Sequence, residues 1–508
     1  MDFSWMQIPH IGVLCSFREA RCFQSLRRRE ARGFQQIAWQ RRGKSYGLGN
    51  MTQFATVSDL ARLLAESLEE VRGGLGVAPS VEEIEAATFL VFQAMTSRSR
   101  EYHGLSHLFN VAENLPALAK LAAIYHDIVY FHVDGGFPPN VSERIGDVVE
   151  CHGERISLTT APDEMVADIA TIFGFSPGQE LRHDGGLSEF LSAALAVREL
   201  GKFLSVKDLW AVAACIEATI PFRAAVQGMT PDDLLGMRLE CLRRRTEALT
   251  DVEIEGIQIL AARMSNADVQ SFGQPDLSNF LENTWQLLPE TNPEFHKVGA
   301  YSIRSYREAL VRMEGFLSNL DPQVIFRRHG TTPGDDEFQE LLQHAANNLR
   351  CAAEYLRANI AAMLVLEALA ELTGGDGPIS YFTGASGPGQ PQILDLVHQD
   401  GYLAESARPA LDAEVMRVLK FGRASVNGFD TATSSLVTYF YELLGSAGIA
   451  ELMRRAGEAH AGKPDWKWLL AVLPREVVSD VAMAIARIAV ARKDRFREFG
   501  RPFSVNVD

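Results

Sequence analysis

The chain has 508 residues, 47% of them hydrophobic and 22% charged, a length sufficient for two or three domains and a composition ordinary for soluble globular proteins. The formal net charge of −16 argues against nonspecific binding to nucleic acid or to an anionic membrane. The six cysteines form no CxxC pair, and no apolar run reaches the roughly 18 residues that span a bilayer. The sequence therefore predicts a cytoplasmic protein without a membrane partner; an oligomer remains possible.

The first 50 residues differ in charge from the remainder. They hold eight Arg and one Lys against one Asp and two Glu, a net charge of +6 that leaves −22 for residues 51–508. Three interpretations stay open: a start-site artefact with Met51 as the true first residue, a disordered basic arm, or an Arg-rich transit-like segment. Glu19 and Glu30 disfavour the third.

From Met51 onward, apolar residues recur at helical spacing. Leu60, Leu64 and Leu68 form the first stripe, and Ser80 with Glu83 predicts a capping box at the start of the next helix. Further amphipathic segments begin near Glu101, Pro116, Asp163, Leu187, Val206, Thr230, Glu253 and Ser302. Alternating strand patterns are almost absent, so the predicted fold class is all-α.

Segments rich in glycine and proline indicate where the helical regions divide. The segment RRHGTTPGDDE, residues 327–337, predicts a boundary between a domain at 51–326 and a C-terminal helical domain of unknown role at 338–508. A second such segment begins at Gly374 and predicts a long loop within the C-terminal region.

Residues 100–130 contain the pattern that points to chemistry. His103 and His107 are four residues apart, so a helix would place them on one face. His126 and Asp127 follow in LAAIYHDIVY, which is apolar almost all round and is therefore predicted to be a buried helix. A buried imidazole and carboxylate cost several kcal/mol unless they are paired or coordinate a metal. The alternative is a hydrogen-bonded core histidine.

These residues resemble the HD superfamily of metal-dependent phosphohydrolases, in particular its small predicted-phosphohydrolase branch. The matching pattern is RxYHxxxH followed by AxxxHDxxY, carried by Arg100, Tyr102, His103, His107, Ala122, His126, Asp127 and Tyr130. The resemblance implies an HD-domain helical bundle and one divalent ion, which imidazole and carboxylate donors would select as Mn, Mg, Zn or Fe. A second His-Asp doublet, at His183–Asp184, stands before two glycines and is interpreted as a chance occurrence in a loop.

The resemblance implies that His107, the doublet and a distant aspartate are the metal ligands. The best candidate for that aspartate is Asp268, where a buried helix ends in NADV; the alternative is an aspartate that makes a local cap. Three other aspartates lie near helix starts, where aspartate commonly caps, and are weaker candidates: Asp208, Asp251 and Asp276.

The sequence departs from the family pattern in two ways. Pro221 and Phe222 stand where the branch often has a histidine. The extra histidines that a second metal ion needs lack a convincing spacing at His132, His152 and His183, so a single ion is predicted and a bimetallic site stays open.

The implied function is divalent-metal-dependent hydrolysis of a small-molecule phosphoester, which could be a nucleotide. Asp127, His103 and Glu217 are the predicted catalytic residues, although Glu217 is equally consistent with a surface or paired core residue. Arg98, Arg100 and His103 are predicted to bind the phosphate, with a solvated helix start as the alternative for the two arginines. The competing hypothesis is a catalytically degenerate regulatory or scaffold protein of the same fold.

Overall fold

The computed structural model describes residues 56–73, 77–137, 139–153, 155–246, 248–297, 299–384, 411–425, 435–460 and 463–499. The predicted basic extension, residues 1–50, lies outside the described residues, as does the part of the predicted loop that follows Gly384. The part from Gly374 to Gly384 is described and contains a short helix at Ile379–Thr383.

The described chain is mostly α-helical, which confirms the predicted class. The elements up to residue 268 are α1 (Val57–Arg72), α2 (Val81–Met95), α3 (Leu105–Ala112), α4 (Ala117–Tyr125), α5 (Pro139–Ile145), β1 (Val149–His152), β2 (Arg155–Leu158), α6 (Glu164–Phe173), α7 (Leu187–Leu200), α8 (Val206–Ala218), α9 (Pro231–Thr246) and α10 (Asp251–Asp268). Strands β1 and β2 pair as a short antiparallel hairpin.

The elements that follow form the C-terminal half. They are α11 (Leu277–Thr291), α12 (Ile303–Asn319), α13 (Asp335–Thr373), α14 (Ile379–Thr383), α15 (Ala413–Phe421), α16 (Ser435–Gly457), β3 (Ala459–His460), β4 (Lys463–Pro464), α17 (Trp466–Leu470), α18 (Arg475–Ile488) and α19 (Lys493–Glu498). Strands β3 and β4 make a second antiparallel pair, and α16 is kinked at Gly445, where φ is 56°.

The predicted helix starts carry the expected caps. Ser80 and Glu83 form a reciprocal capping box at the start of α2. The hydroxyl of Thr230 accepts the backbone N–H of Asp233 at 3.1 Å, while the Asp233 carboxylate accepts the N–H of Thr230 at 2.8 Å. Such caps stabilise a helix by about 1 kcal/mol each because they satisfy N–H groups that have no partner within the helix.

The buried apolar side chains form two clusters that meet between Met264 and Val269. In the first cluster α8 packs against α4, α7 and α10. In the second cluster the long helix α13 packs against α12 and α16. The first core therefore ends with α10, and α11 and α12 contribute their apolar faces to the second.

Residues 327–334 lie in a loop, and residues 335–337 already form the first turn of α13. Helices α11 and α12, which precede it, share a core with the helices that follow it. A domain boundary at 327–337 stays a prediction. Along the chain, the buried apolar side chains pass from the first cluster to the second some 60 residues earlier, between Met264 and Val269.

No helix in the described part of the chain combines the length and the apolar character that crossing a bilayer requires.

Candidate metal site

Three helices bring the predicted ligands together. His107 lies in α3, His126 and Asp127 follow directly after the last residue of α4, and Asp268 is the last residue of α10. Each of these helices packs against the other two. The doublet was expected inside a buried helix; α4 is indeed buried, but it ends at Tyr125 and leaves the doublet in the turn that follows.

The four side chains converge through four atoms. The Nε2 atoms of His107 and His126 are 3.3 Å apart. Oδ2 of Asp127 lies 3.0 Å from Nε2 of His126 and 3.5 Å from Nε2 of His107. Oδ1 of Asp268 lies 3.1 Å from Nε2 of His107 and 3.4 Å from Nε2 of His126. His107, His126 and Asp127 could together hold a metal ion.

The hydrogen bonding of His126 shows why a cation fits this position. Its Nδ1 lies 2.9 Å from the carbonyl oxygen of Ala123, which can only accept, so Nδ1 carries a proton and donates. In the neutral imidazole, Nε2 then presents a lone pair toward the two carboxylates. Oδ2 of Asp127 is buried and makes no hydrogen bond within the described structure. Lone pairs that face one another in a buried site repel unless a proton or a metal cation lies between them.

The spacing of the donor atoms also fits a metal ion. Ligand atoms at about 2.0–2.2 Å from a divalent ion lie roughly 3 Å from one another. The measured separations of 3.0–3.5 Å agree with this requirement. Two imidazoles and two carboxylates suit Zn, Mn, Fe or Mg, and the burial of His126, only 2% exposed, keeps water from competing for it.

The ionisation of the carboxylates follows from the same geometry. Burial raises the pKa of Asp127, but the nearby rings of His126, His103 and His107 outweigh it and lower that pKa below its usual value. Burial likewise raises the pKa of Asp268, but His107 and His126 lower it by more, so that this pKa also lies below its usual value. Both groups are therefore anionic near neutral pH, as metal ligands need to be.

His103 lies beside the metal site and is held by a carboxylate that the sequence did not reveal. It stands in the turn before α3, not on the helix, and its Nδ1 is 2.6 Å from Oε2 of Glu290. Oε1 of Glu290 accepts the backbone N–H groups of Glu101, Tyr102 and His103 at 2.8–2.9 Å. Burial lowers the pKa of His103, but Glu290 and Asp127 outweigh it and raise that pKa above its ordinary value.

Arg100 was predicted to bind phosphate, and the structure shows it engaged by other partners. Its side chain is fully buried and pairs with the equally buried Asp134, with NH2 at 2.6 Å from Oδ2. Its NH1 donates to the carbonyl oxygen of Asp127 at 2.6 Å. Arg100 therefore fixes the backbone of the His-Asp doublet. Arg98 is exposed and lines neither of the two cavities that adjoin the candidate ligands.

Glu217 was predicted as a proton-transfer group, with a paired core residue as the alternative, and the structure shows the pair. Its carboxylate is fully buried, and Oε1 lies 2.5 Å from NH1 of Arg223 and 2.9 Å from NH1 of Arg238. It lines neither of the two cavities at the candidate ligands, and one of its partners, Arg238, lies in α9.

We expect Glu217→Ala to destabilise the protein by about 3–5 kcal/mol, because Arg223 and Arg238 then lose the buried carboxylate that neutralises their charges. Metal content should not change. Thermal unfolding and metal analysis of the same preparation check both parts. A variant that keeps its stability but loses its metal ion or its activity would return Glu217 to the chemistry.

The other histidines and aspartates that the sequence offered as candidates do not join the site. The doublet His183–Asp184 forms a short 3-10 turn, and Asp184 pairs with Arg182 at 2.9 Å. His132 packs against His183, and His152 is exposed on β1. The weaker aspartate candidates lie at helix starts, as expected: Asp208 in the first turn of α8, Asp251 in that of α10, and Asp276 at the N-cap of α11.

Two cavities meet at the candidate ligands. The first, which we call the apolar cavity, has a volume of about 150 Å³; Asp127 and Asp268 lie in its wall together with side chains of α11 and α12. The second, which we call the polar cleft, has a volume of about 260 Å³ and is lined by His107 and Asp268 with mostly amide and hydroxyl side chains. Asp268 thus faces both spaces, one apolar and one hydrophilic.

Glu189 lines the apolar cavity and forms no ion pair with the other residues that line it. Its Oε2 is buried and makes no hydrogen bond with any described group. Burial raises its pKa to about 7, and the charges of Asp127 and Asp268 contribute to the increase. A carboxyl group with such a pKa is protonated in roughly half of the molecules at neutral pH, and the protonated form can donate its proton.

Sequence reasoning missed Glu189 and Glu290, for different reasons. Glu189 stands in the first turn of α7, where an acidic residue is ordinary because it complements the helix dipole. Glu290 stands in the last turn of α11, where the dipole disfavours a carboxylate. This unfavourable position in the helix was the available signal that Glu290 makes a contact with another part of the chain.

No family model matches the chain, and neither the curated proteins nor the solved structures contain a match.

Proposed function

We propose that this protein is a hydrolase of phosphoesters that uses one divalent metal ion, held by His107, His126, Asp127 and Asp268. The single observation that carries the proposal is the convergence of four donor atoms, 3.0–3.5 Å apart in the measured pairs, at the junction of two cavities. The resemblance to the metal-dependent HD phosphohydrolases supports the same conclusion, because the residues that carry it are the ones that converge.

The metal ion defines what the remaining residues need to do. When bound, a divalent ion supplies positive charge that stabilises developing charge on phosphoryl oxygens and makes a water molecule acidic enough to act near neutral pH. The polar cleft, with side chains such as Asn110 and Gln270 beside His107, gives water access to the ligand atoms. Asp268, which lines both spaces, would orient that water toward a phosphoester.

His103 is the side chain best suited to contact a phosphate oxygen. Among the described residues that line the two cavities there is no arginine or lysine. The carboxylate of Glu290 accepts a hydrogen bond from the Nδ1–H of His103 and thereby fixes the ring, which lines the apolar cavity together with Asp127. The imidazole is thus a preorganised donor to an oxygen bound beside the metal ion.

Glu189 would protonate the leaving oxygen. We expect Glu189→Gln to lower kcat/KM for an alkyl phosphate about 100-fold, the lower end of what a positioned acid contributes. Hydrolysis of p-nitrophenyl phosphate should fall far less, because its leaving group needs no proton. The two substrates assayed on one preparation check this. Equal losses for both would show that Glu189 supports structure and not proton transfer.

The proposed function is tested with the full chain, stripped of metal and reloaded with Mn, Mg, Zn or Fe in separate samples. We expect about one ion per chain and hydrolysis of at least one ester in a panel of phosphomonoesters and phosphodiesters. A protein that binds metal yet hydrolyses none of the esters with any of the four ions would overturn the proposal and favour the scaffold hypothesis.

A further inference from the structure

We propose that the apolar cavity binds an uncharged aromatic or compact aliphatic group of the substrate, so that the preferred substrate is a phosphoester with an apolar alcohol. This inference rests on the proposed function for the phosphate part. The apolar character of the cavity follows from the side chains that line it, and binding of an apolar group there can be tested separately.

The walls of the cavity combine side chains near the candidate metal ligands with side chains of the second hydrophobic core. Tyr102 and Tyr130 belong to the side of the metal ligands. From the other side, α11 and α12 contribute apolar side chains: Phe280, Leu287, Met313, Phe316 and Leu317. A ligand whose phosphate reached Asp127 and Asp268 would therefore place its alcohol part against aromatic and aliphatic carbon.

Phe222 contributes its ring to this wall although its backbone conformation is unfavourable. It adopts φ of 55°, a left-handed backbone conformation that costs a bulky residue of order 1–3 kcal/mol. Its ring packs against Phe272 at 5.4 Å and against Phe316 at 5.7 Å between centroids. Phe222 and its two ring partners thus give this side of the cavity an aromatic surface.

The charges in the cavity exclude a polyanionic substrate. Its described lining contains four carboxyl groups and no arginine or lysine: Asp127, Asp268, Glu189 and Glu290. Two would be neutralised by a metal ion and one is paired with His103, which leaves no cation for a second or third phosphate. A nucleoside triphosphate would bring further negative charges for which the cavity lining offers no arginine or lysine.

The size of the cavity sets the size of the group. A space of about 150 Å³ lined by aliphatic and aromatic side chains accommodates benzene. Burying an apolar group of this size strengthens binding by a factor of about ten or more. The cavity therefore fits a single ring or a short branched chain.

The test compares two phosphonates that cannot be hydrolysed, using the metal-loaded full chain and calorimetry. Benzylphosphonate should bind about tenfold or more tighter than methylphosphonate. In Leu287→Trp, which fills the cavity from a half-buried position, this ratio should fall toward one. In Leu443→Trp, a matched change at a half-buried leucine outside the cavity, the ratio should be retained. Melting temperatures identify any variant that fails to fold, and Phe316→Ala, which widens the cavity, then serves as the second variant, with a changed ratio expected.

The outcomes separate the two proposals. Equal affinity of the wild type for both phosphonates would overturn the apolar substrate class and leave phosphoester hydrolysis intact. If neither phosphonate binds while benzyl alcohol binds to the wild type and not to Leu287→Trp, the apolar site stands and the phosphohydrolase function fails. If none of the three compounds binds, both are overturned.

Discussion

Replacing Asp127 by alanine is expected to remove the metal ion, whereas the same replacement at Asp184 leaves it bound. The Oδ2 atom of Asp127 faces Nε2 of His126 at 3.0 Å and has no hydrogen bond of its own, so coordination is the interaction that the variant loses. Outer-shell partners alone change metal affinity about 10–100-fold, so loss of a direct ligand should cost more than about 100-fold. Metal content per chain after gel filtration measures the effect.

The chain supplies a matched control for this experiment. Asp184 also follows a histidine, and its side chain is 14% exposed against 18% for Asp127. Its partner is Arg182, not a cluster of histidines. Equal metal content in wild type and Asp127→Ala would remove the site assignment, while equal losses in both variants would indicate a general loss of folding. The variant Asp127→Asn, which keeps the side-chain volume, decides between these cases.

Asp268→Asn is expected to reduce phosphoester hydrolysis by about 100-fold or more while the fold survives. The amide keeps the size of the carboxylate and one oxygen donor, but it removes the negative charge that offsets the charge of the ion. If Asp268 only ended α10, asparagine would serve equally well or better, because the helix dipole disfavours a carboxylate at the last residue. Steady-state rates at saturating metal, together with metal affinity, measure the loss.

Asp232→Asn is the control for that change. Asp232 is as buried as Asp268, with 16% of each side chain exposed, and it also contacts a histidine, His329, at 2.5 Å. It lines neither cavity. Hydrolysis should therefore be unchanged in Asp232→Asn. An Asp268→Asn variant that retains wild-type rates would exclude Asp268 from the metal site even if the other three ligands were correct.

The sequence determined much of the local structure. Helical spacing and capping residues predicted the mostly helical class and the starts of α2 and α9, because these features depend on contacts within three or four residues. Residue type and spacing also singled out the pair His103 and His107 and the doublet His126–Asp127, and the family resemblance pointed to His107 and Asp268 as further ligands. The structure brings the four predicted ligands together.

Only the tertiary structure decided which polar side chains work beside them. Arg100 and Glu217 looked available for chemistry, yet Asp134 engages the first, and Arg223 and Arg238 engage the second. Glu290 reaches His103 from 187 residues away, and the apolar cavity forms where α11 and α12 meet the metal ligands. A linear pattern records that a residue is buried or lies on a given face. The partner it finds there is set by how the helices pack, since burial obliges each charged group to find one.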